Sequence, residues 1–368
     1  MNKFLICFLL VVHSVFGQEY ALVRYEGKSG YIDESGNYFK SPLYRDAKKF
    51  SEGLAAVLVE KKWGFIDNTG NFVIQPQFDR VRAFHDGLCI VQNDENWFYI
   101  NKKGNKVGAP VSEKLFDFED GVAFIKIEEM VGLINTDLQV IVAPKYDLIR
   151  SFYQGFAKVK LGEQWGIIDN TGKEVVSVQY DEIGDYSKNV TWARQGDSFG
   201  IIKDNTFKII EGVDKILDFD DQEFTPAKKD GLFGFINAEG NWILEPKYDK
   251  LKRLTHGLAA AKINGRWGYI DLKGNWIINP AFEDAEAFSE DGLAAVKLGS
   301  WGFINKTGKI IIPFKYLITP EYSGMSWKDK CFKNGLMRVK YENRWGFLKT
   351  DGTLLSERWY DNAELFSK

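Results

Sequence analysis

Trp63-Gly64-Phe65-Ile66-Asp67-Asn68-Thr69-Gly70 is the stretch on which the architecture turns. Its core returns as Trp165-Gly166-Ile167-Ile168-Asp169, Trp267-Gly268-Tyr269-Ile270-Asp271 and Trp301-Gly302-Phe303-Ile304-Asn305. Weaker copies at Ser29-Gly30, Trp97-Phe98, Val131-Gly132, Phe199-Gly200 and Phe233-Gly234 fill the gaps. Eight steps of 34 residues therefore lead from Ser29 to Trp301, and one of 44 reaches Trp345-Gly346. Self-similarity at this period marks a tandem repeat.

A 34-residue period also belongs to helical arrays, so the interior of the unit decides. Leu54-Ala55-Ala56-Val57, Gly64-Phe65-Ile66 and Phe72-Val73-Ile74 are short, β-branched or aromatic, and bounded by Gly, Asn and Pro. No uninterrupted amphipathic helix fits between them. Asp67-Asn68-Thr69-Gly70 recurs as Asp169-Asn170-Thr171-Gly172, Asp271-Leu272-Lys273-Gly274 and Asn305-Lys306-Thr307-Gly308, which predicts a hairpin turn closed by a glycine at positive φ. Pro42, Pro76, Pro110, Pro144, Pro246 and Pro280 fall at the expected end of a third strand, where a missing N–H costs no ladder bond. The expected fold is all-β: a tandem array of about ten three-stranded meanders with return loops. Stacking on neighbours supplies the core that one unit cannot build. An open or superhelical stack is expected, because the frame leaves no strand over to lock a ring; a closed propeller-like toroid is the alternative.

The recurring Trp-Gly, then Phe/Tyr-Ile-Asp, a turn Gly, Ile-x-Pro-x-Tyr/Phe-Asp and Phe-Ser-x-Gly-Leu-Ala resembles the bacterial WG-repeat family, over essentially Glu19 to Phe366. The units at 190–223 and 224–257 depart from it most. Val178 and Gly212 replace the proline, Thr206 the turn glycine, and Asn189 and Glu223 the glycine before the first strand. The resemblance implies a β-rich array with a binding or scaffolding role, no common catalytic activity and no catalytic residues to carry over.

Met1 to Gly17 reads as a secretory signal, with Lys3 ahead of the apolar run Phe4 to Val12 and a cut expected near Gly17-Gln18. That run is too short to span a bilayer, and the remaining chain, 18–368, has no candidate transmembrane segment. Export to the periplasm, the surface or the medium is expected. With 48 Lys+Arg against 51 Asp+Glu and no basic stripe, nucleic acid is an unsuitable partner. Cys89 and Cys331 read as two apolar thiols, a disulfide remaining open.

Six of the 11 tryptophans, Trp63, Trp97, Trp165, Trp267, Trp301 and Trp345, share one column, and Gly64, Gly166, Gly268, Gly302 and Gly346 follow five of them. The column is read as core packing, with a ladder for stacking on sugar rings as the alternative. The ten extra residues of the long interval place an insertion at 317–334, whose Glu321, Tyr322, Met325 and Trp327 form the candidate binding site. The acidic stretch Asp214, Asp218, Asp220, Asp221 and Glu223 reads as a solvated loop, since a calcium loop would need a glycine at its sixth position. His85 and His256 have no nucleophile beside them in the sequence, and no carboxylate pair stands out. The expectation is therefore a non-enzymatic exported module without cofactor or metal, binding a protein partner. An envelope polysaccharide, or a hydrolase using scattered carboxylates, is the alternative.

Overall fold

The computed structural model describes residues 18–318 and 330–368. The leader expected at Met1 to Gly17, and Glu321, Tyr322, Met325 and Trp327 of the insertion, lie outside those residues. The first unit is a meander of β1 (Tyr20–Tyr25), β2 (Lys28–Asp33) and β3 (Tyr38–Tyr44). The next sheet runs β4-β5-β6-β7, where β4 is Asp46–Ala47, β5 is Leu54–Val59, β6 is Lys62–Asp67 and β7 is Phe72–Phe78.

The expected three-stranded unit needs correcting. The return segment after most outer strands supplies a short fourth strand to the following sheet, as β4 does for β5. Ten small antiparallel sheets result among the described residues: eight of four strands, one of three and one of two, none closed into a barrel. The four-stranded sheets use the segment that looked like a loop because its two to four paired residues are too few to show alternation.

The proline column also sits differently from expectation. Pro76 lies inside β7, where Trp63 faces Phe78 and Phe65 faces Ile74, so two steps on β6 meet four on β7. The extra residues bulge around Gln75-Pro76 toward Gly64, where a Cβ would stand 2.7 Å from the Ile74 oxygen and from the Pro76 nitrogen. The Trp-Gly glycine and the bulge are thus two halves of one device: glycine leaves no side chain beneath the bulge, and the bulged outer edge tolerates a proline because it needs no N–H there. The bulge persists where Val178 or Phe314 stands in place of the proline, and the unit with Gly212 there has none. Its outer strand Thr206–Ile209 pairs straight along Gly200 to Lys203.

The hairpin turn forms as expected. Asp67 Oδ1 accepts the Thr69 and Asn71 N–H groups at 2.8 and 3.1 Å and the Thr69 hydroxyl at 2.6 Å, while Gly70 has φ +79°. Asn305 accepts the same set from Thr307 and Lys309, so the position needs an acceptor and not a charge. The Thr69 hydroxyl, against a small opposing desolvation, and then the backbone donors hold the Asp67 carboxyl below the usual range.

Packing follows from the period of two along the second strand. Leu54 and Ala56 of β5 join a cluster with the following unit, and Ala55 and Val57 one with the preceding unit. Both faces of the strand are buried, which is why it reads as an unbroken apolar run. Ten such clusters exist among the described residues, each shared by two consecutive units. The tenth joins the last unit to the first, packing Phe347, Leu355, Tyr360 and Ala363 against Ala21, Val23 and Ile32.

Ten units with ten interfaces form a ring, so the closed arrangement and not the open one is present. The locking strand is a return segment like the others: Asn362–Ala363 pairs with Arg24 and Val23. Main-chain bonds join Asp361 N to Arg24 O, Glu364 N to Leu22 O, and Tyr20 to Ser367 in both directions. A side-chain contact repeats there too. Asp79 Oδ2 accepts the Asp94 N–H and Asp147 Oδ2 the Gly162 N–H, capping the next unit's hairpin; Asp361 Oδ2 does the same for Gly27 across the closure.

Three outcomes are expected. Gly64→Ala should destabilise the protein by roughly 1–3 kcal/mol, because backbone must move to admit the methyl group; an unchanged denaturation midpoint would refute the bulge account. Deleting 361–368 should cost roughly 5 kcal/mol in chemical denaturation, from four main-chain bonds of about 1 kcal/mol each and the burial of Ala363 and Phe366; a loss under about 1 kcal/mol would mean that the pairing does not hold the ring. The depressed Asp67 carboxyl contributes stability that is present above the unfolded value near 3.9 and lost as pH falls through the lower folded value. Asp67→Asn should preserve the turn and flatten the stability profile below about pH 4, and a profile that stays as steep would exclude this group.

Candidate functional site: the mouth of the ring

Each unit turns twice on one face: between its short and second strands, as at Ser51-Glu52-Gly53, and at the Asp-Asn-Thr-Gly hairpin. The short-strand turns lie nearest the axis, because among the described residues it is there that side chains reach past a neighbouring unit. Tyr153 Oη lies 3.5 Å from Asp220 Oδ1 across the intervening sheet of Val190–Gln195. Along part of this inner rim the turns are laced together by carboxylates. Glu52, Asp86 and Asp120 accept the N–H groups of Gly87, Gly121 and Gly155 at 2.9, 2.8 and 3.3 Å. Burial first, and then the neighbouring Asp120 charge, raise the Glu119 carboxyl above the ordinary range, with His85 acting in the opposite sense.

The lacing changes character at Gln154. There a cavity of about 600 Å³ opens among Tyr153, Gln154, Asp220–Gln222, Arg253–His256 and Glu290, drawn from four sheets. Asp220 forms an ion pair with Arg253 on its wall. Burial lowers the Arg253 guanidinium pKa, and burial raises the Tyr153 phenol while Arg253 opposes that rise. Gln154 is oriented from behind by the Ser187 hydroxyl, which donates to its Oε1 at 2.7 Å, and Gln222 donates to the Leu254 carbonyl. Thr255 is 8% exposed, and its hydroxyl has no hydrogen-bond partner among the described residues. A second network stands beside the cavity. Asp218 Oδ1 accepts Trp192 Nε1 at 2.8 Å and the Asp185 N–H at 2.9 Å, and Asp185 pairs with Lys158 at 2.6 Å. A Cβ on Gly184 would fall 2.5 Å from that Asp218 oxygen, so glycine there makes room for the indole.

The acidic stretch is therefore not the solvated loop expected from the sequence. Asp214 caps Gly231, Asp218 holds Trp192, Asp220 holds Arg253, and the Asp221 carbonyl accepts the Lys188 amine. The period concealed the reason: the unit without a bulge is a residue shorter in its outer strand, and the residue reappears between Phe219 and Phe224. One signal could have found the cavity, namely that Tyr153 occupies the column of Ser51 and His256 that of Glu52.

The tryptophan column is mainly packing. Trp267 and Trp301 are 6% and 9% exposed, Trp63, Trp165 and Trp345 are half-buried, and Trp97 is 38% exposed. Lys48 covers the face of Trp63 at 5.5 Å, Arg150 that of Trp165 at 5.8 Å, Lys252 that of Trp267 at 5.2 Å and Arg338 that of Trp345 at 4.8 Å. Cations thus occupy the faces a sugar ring would need. Cys89 is buried, its thiol pushed up to about 12 by burial, and Cys331 is half-buried; they are not bonded to each other.

The WG containing repeat matches at residues 30–63, 63–97, 97–129, 132–165, 165–198, 233–267, 267–300 and 301–316, well over half of the sequence. The chain belongs to the WG containing repeat family. Between the WG matches, residues 199–232 are left out, and these hold the unit without a bulge and the Asp220 wall of the cavity. No curated protein matches this WG-repeat chain. Among solved structures, a eukaryotic initiation factor is similar at 12% identity and TM-score 0.49, covering 95% of this chain and 98% of its own. Porphyromonas gingivalis dipeptidyl peptidase 4 is similar at 9% identity and TM-score 0.41, covering 85% and 59%. Kluyveromyces lactis Hsv2 reaches 11% and 0.35, covering 54% and 70%. These likenesses are too distant to bear on the site.

The Asp220 and Arg253 pair gives a direct test. Removing either partner leaves a partly desolvated charge, so Asp220→Ala and Arg253→Ala should each cost about 1–2 kcal/mol, with the double variant costing less than their sum. Additive losses in a denaturation cycle would show that the two do not interact.

Proposed function

We propose that this WG-repeat ring is a non-enzymatic binding module that holds a protein partner over the turn-bearing mouth of its axis. The observation that carries this reading is the placement of the 600 Å³ cavity. It is walled in part by the residues that escape the repeat, on a scaffold whose other units repeat one structural pattern. A site on rigid, closed sheets is pre-organised, which lowers the entropy cost of association.

The protein works outside the cytoplasm on this reading, a proposal that rests on the leader-like Met1 to Gly17. No helix among the described residues is long and apolar enough to cross a membrane. The covered tryptophan faces weigh against the glycan alternative, and the Asp120 and Asp220 carboxylates at the mouth are engaged in capping and ion pairing, which weighs against a hydrolytic role.

The test is recovery of a partner from envelope extract on immobilised protein, comparing the native ring with one carrying Asp221→Lys and Glu290→Lys at the mouth. A bound protein lost by the charge reversal, and not displaced by soluble oligosaccharides, is expected. Equal recovery on both rings would remove the mouth as the binding face.

A further inference from the structure

The chemistry of the mouth narrows what it can hold. The polar groups that line the cavity are predominantly acidic or neutral: Asp220, Asp221 and Glu290 against Arg253, with His256, Gln154 and Gln222 between them. Arg253 is engaged by Asp220, which leaves Asp221 and Glu290 as the charges offered to an occupant. Lys188 stands outside this lining, its amine donating to the Asp221 main-chain oxygen at 2.5 Å.

Thr255 is the independent sign that the space is built for an occupant. Three other units use the hydroxyl of this column within the protein: Ser51 donates to the Phe84 carbonyl at 2.6 Å, Ser187 to Gln154 at 2.7 Å and Ser289 to the Leu293 carbonyl at 3.2 Å, whereas Ser367, outside the cavity, shares with Thr255 a buried hydroxyl with no partner among the described residues. Thr255 lines the cavity, is more than nine-tenths buried, and makes none of these bonds. A buried hydroxyl left unpaired is destabilising unless something in the cavity pairs with it. Tyr153, 37% exposed, adds an aromatic ring at the same opening.

A bare metal ion does not suit this arrangement, since its oxygen ligands must converge within about 2.3–2.6 Å, whereas the space measures about 600 Å³. That volume is of the size that takes an organic side chain or small molecule. We infer that the mouth cavity is a receptor for an ammonium or guanidinium group carried on an extended basic segment of the partner. The cation lies between Asp221 and Glu290, its carbon stem passes Tyr153, and a carbonyl of the segment accepts from Thr255. An ammonium meeting carboxylates and an aromatic face gains charge-assisted hydrogen bonds and cation–π attraction together. The inference rests on the binding-module reading and specifies the ligand chemistry of that site.

Calorimetric titration of the intact protein tests it, with tetra-lysine, tetra-arginine, spermidine and tetra-glutamate as probes at low and moderate salt. Binding of the basic peptides is expected, weakening as salt rises, with no binding of tetra-glutamate. Asp221→Asn with Glu290→Gln should weaken it at least tenfold. Thr255→Val removes the hydroxyl with little change of shape and should weaken it severalfold while leaving the thermal midpoint unchanged or raised. Spermidine binding as tightly as the peptides would support the cation site and make a free polyamine the occupant; spermidine binding more weakly would support the peptide. Absence of basic-peptide binding, or binding unaffected by the carboxylate variant, overturns the inference. If that happens while the charge-reversed ring still loses its partner, the binding-module reading stands and only the cation chemistry falls.

Discussion

Everything in this molecule depends on one contact made ten times, the packing of a small sheet against the sheets before and after it. A four-stranded sheet of six-residue strands cannot bury both its faces alone. The second strand solves this by sending alternate side chains to opposite neighbours, Leu54 and Ala56 one way and Ala55 and Val57 the other. The arrangement leaves each end unit with an unburied face unless the ends meet. They do, through the cluster that sets Tyr360 and Ala363 against Ala21 and Val23. Closure is therefore the hydrophobic effect applied to the last pair of exposed faces, with a short strand pairing added on top.

The same economy explains the family signature. Trp-Gly, the turn Asp or Asn, the proline and the Tyr-Asp pair are not a ligand code. The glycine admits a bulge, the bulge accommodates the proline, the turn acceptor gathers N–H groups, and the aspartate after Tyr caps the next hairpin. Because these tasks are structural, a unit that abandons them frees residues for something else. The unit at 199–232 drops the proline and the bulge, moves a residue into the turn after Phe219, and by that slip brings Asp220 against Arg253 at the mouth.

Much of the fold was legible in the sequence. The period, the all-β character, the hairpin turn and the packing role of most of the tryptophans followed from spacing and residue type, since each is a local property carried within some ten residues. The fourth strand was not, because Asp46–Ala47 is too short for alternation to register. Nor was the cavity: Tyr153, Asp220 and Arg253 are far apart in the chain, and nothing in the neighbourhood of any one of them names the others. The acidic stretch looked like solvated loop because its partners Trp192, Lys188 and Arg253 come from other turns of the ring.

What the sequence determined by itself is the unit: its strands, its turn chemistry, its bulge and the two apolar faces that oblige it to stack. The tertiary structure alone decided that ten units make a ring with a mouth. Closure depends on a small rotation between neighbouring sheets, repeated at each interface until it completes a turn. That rotation is set by how bulky and small side chains interdigitate between sheets and not by any motif within one. The mouth then inherits its geometry from the closure, which gathers onto one axis residues that the linear chain keeps a unit or more apart.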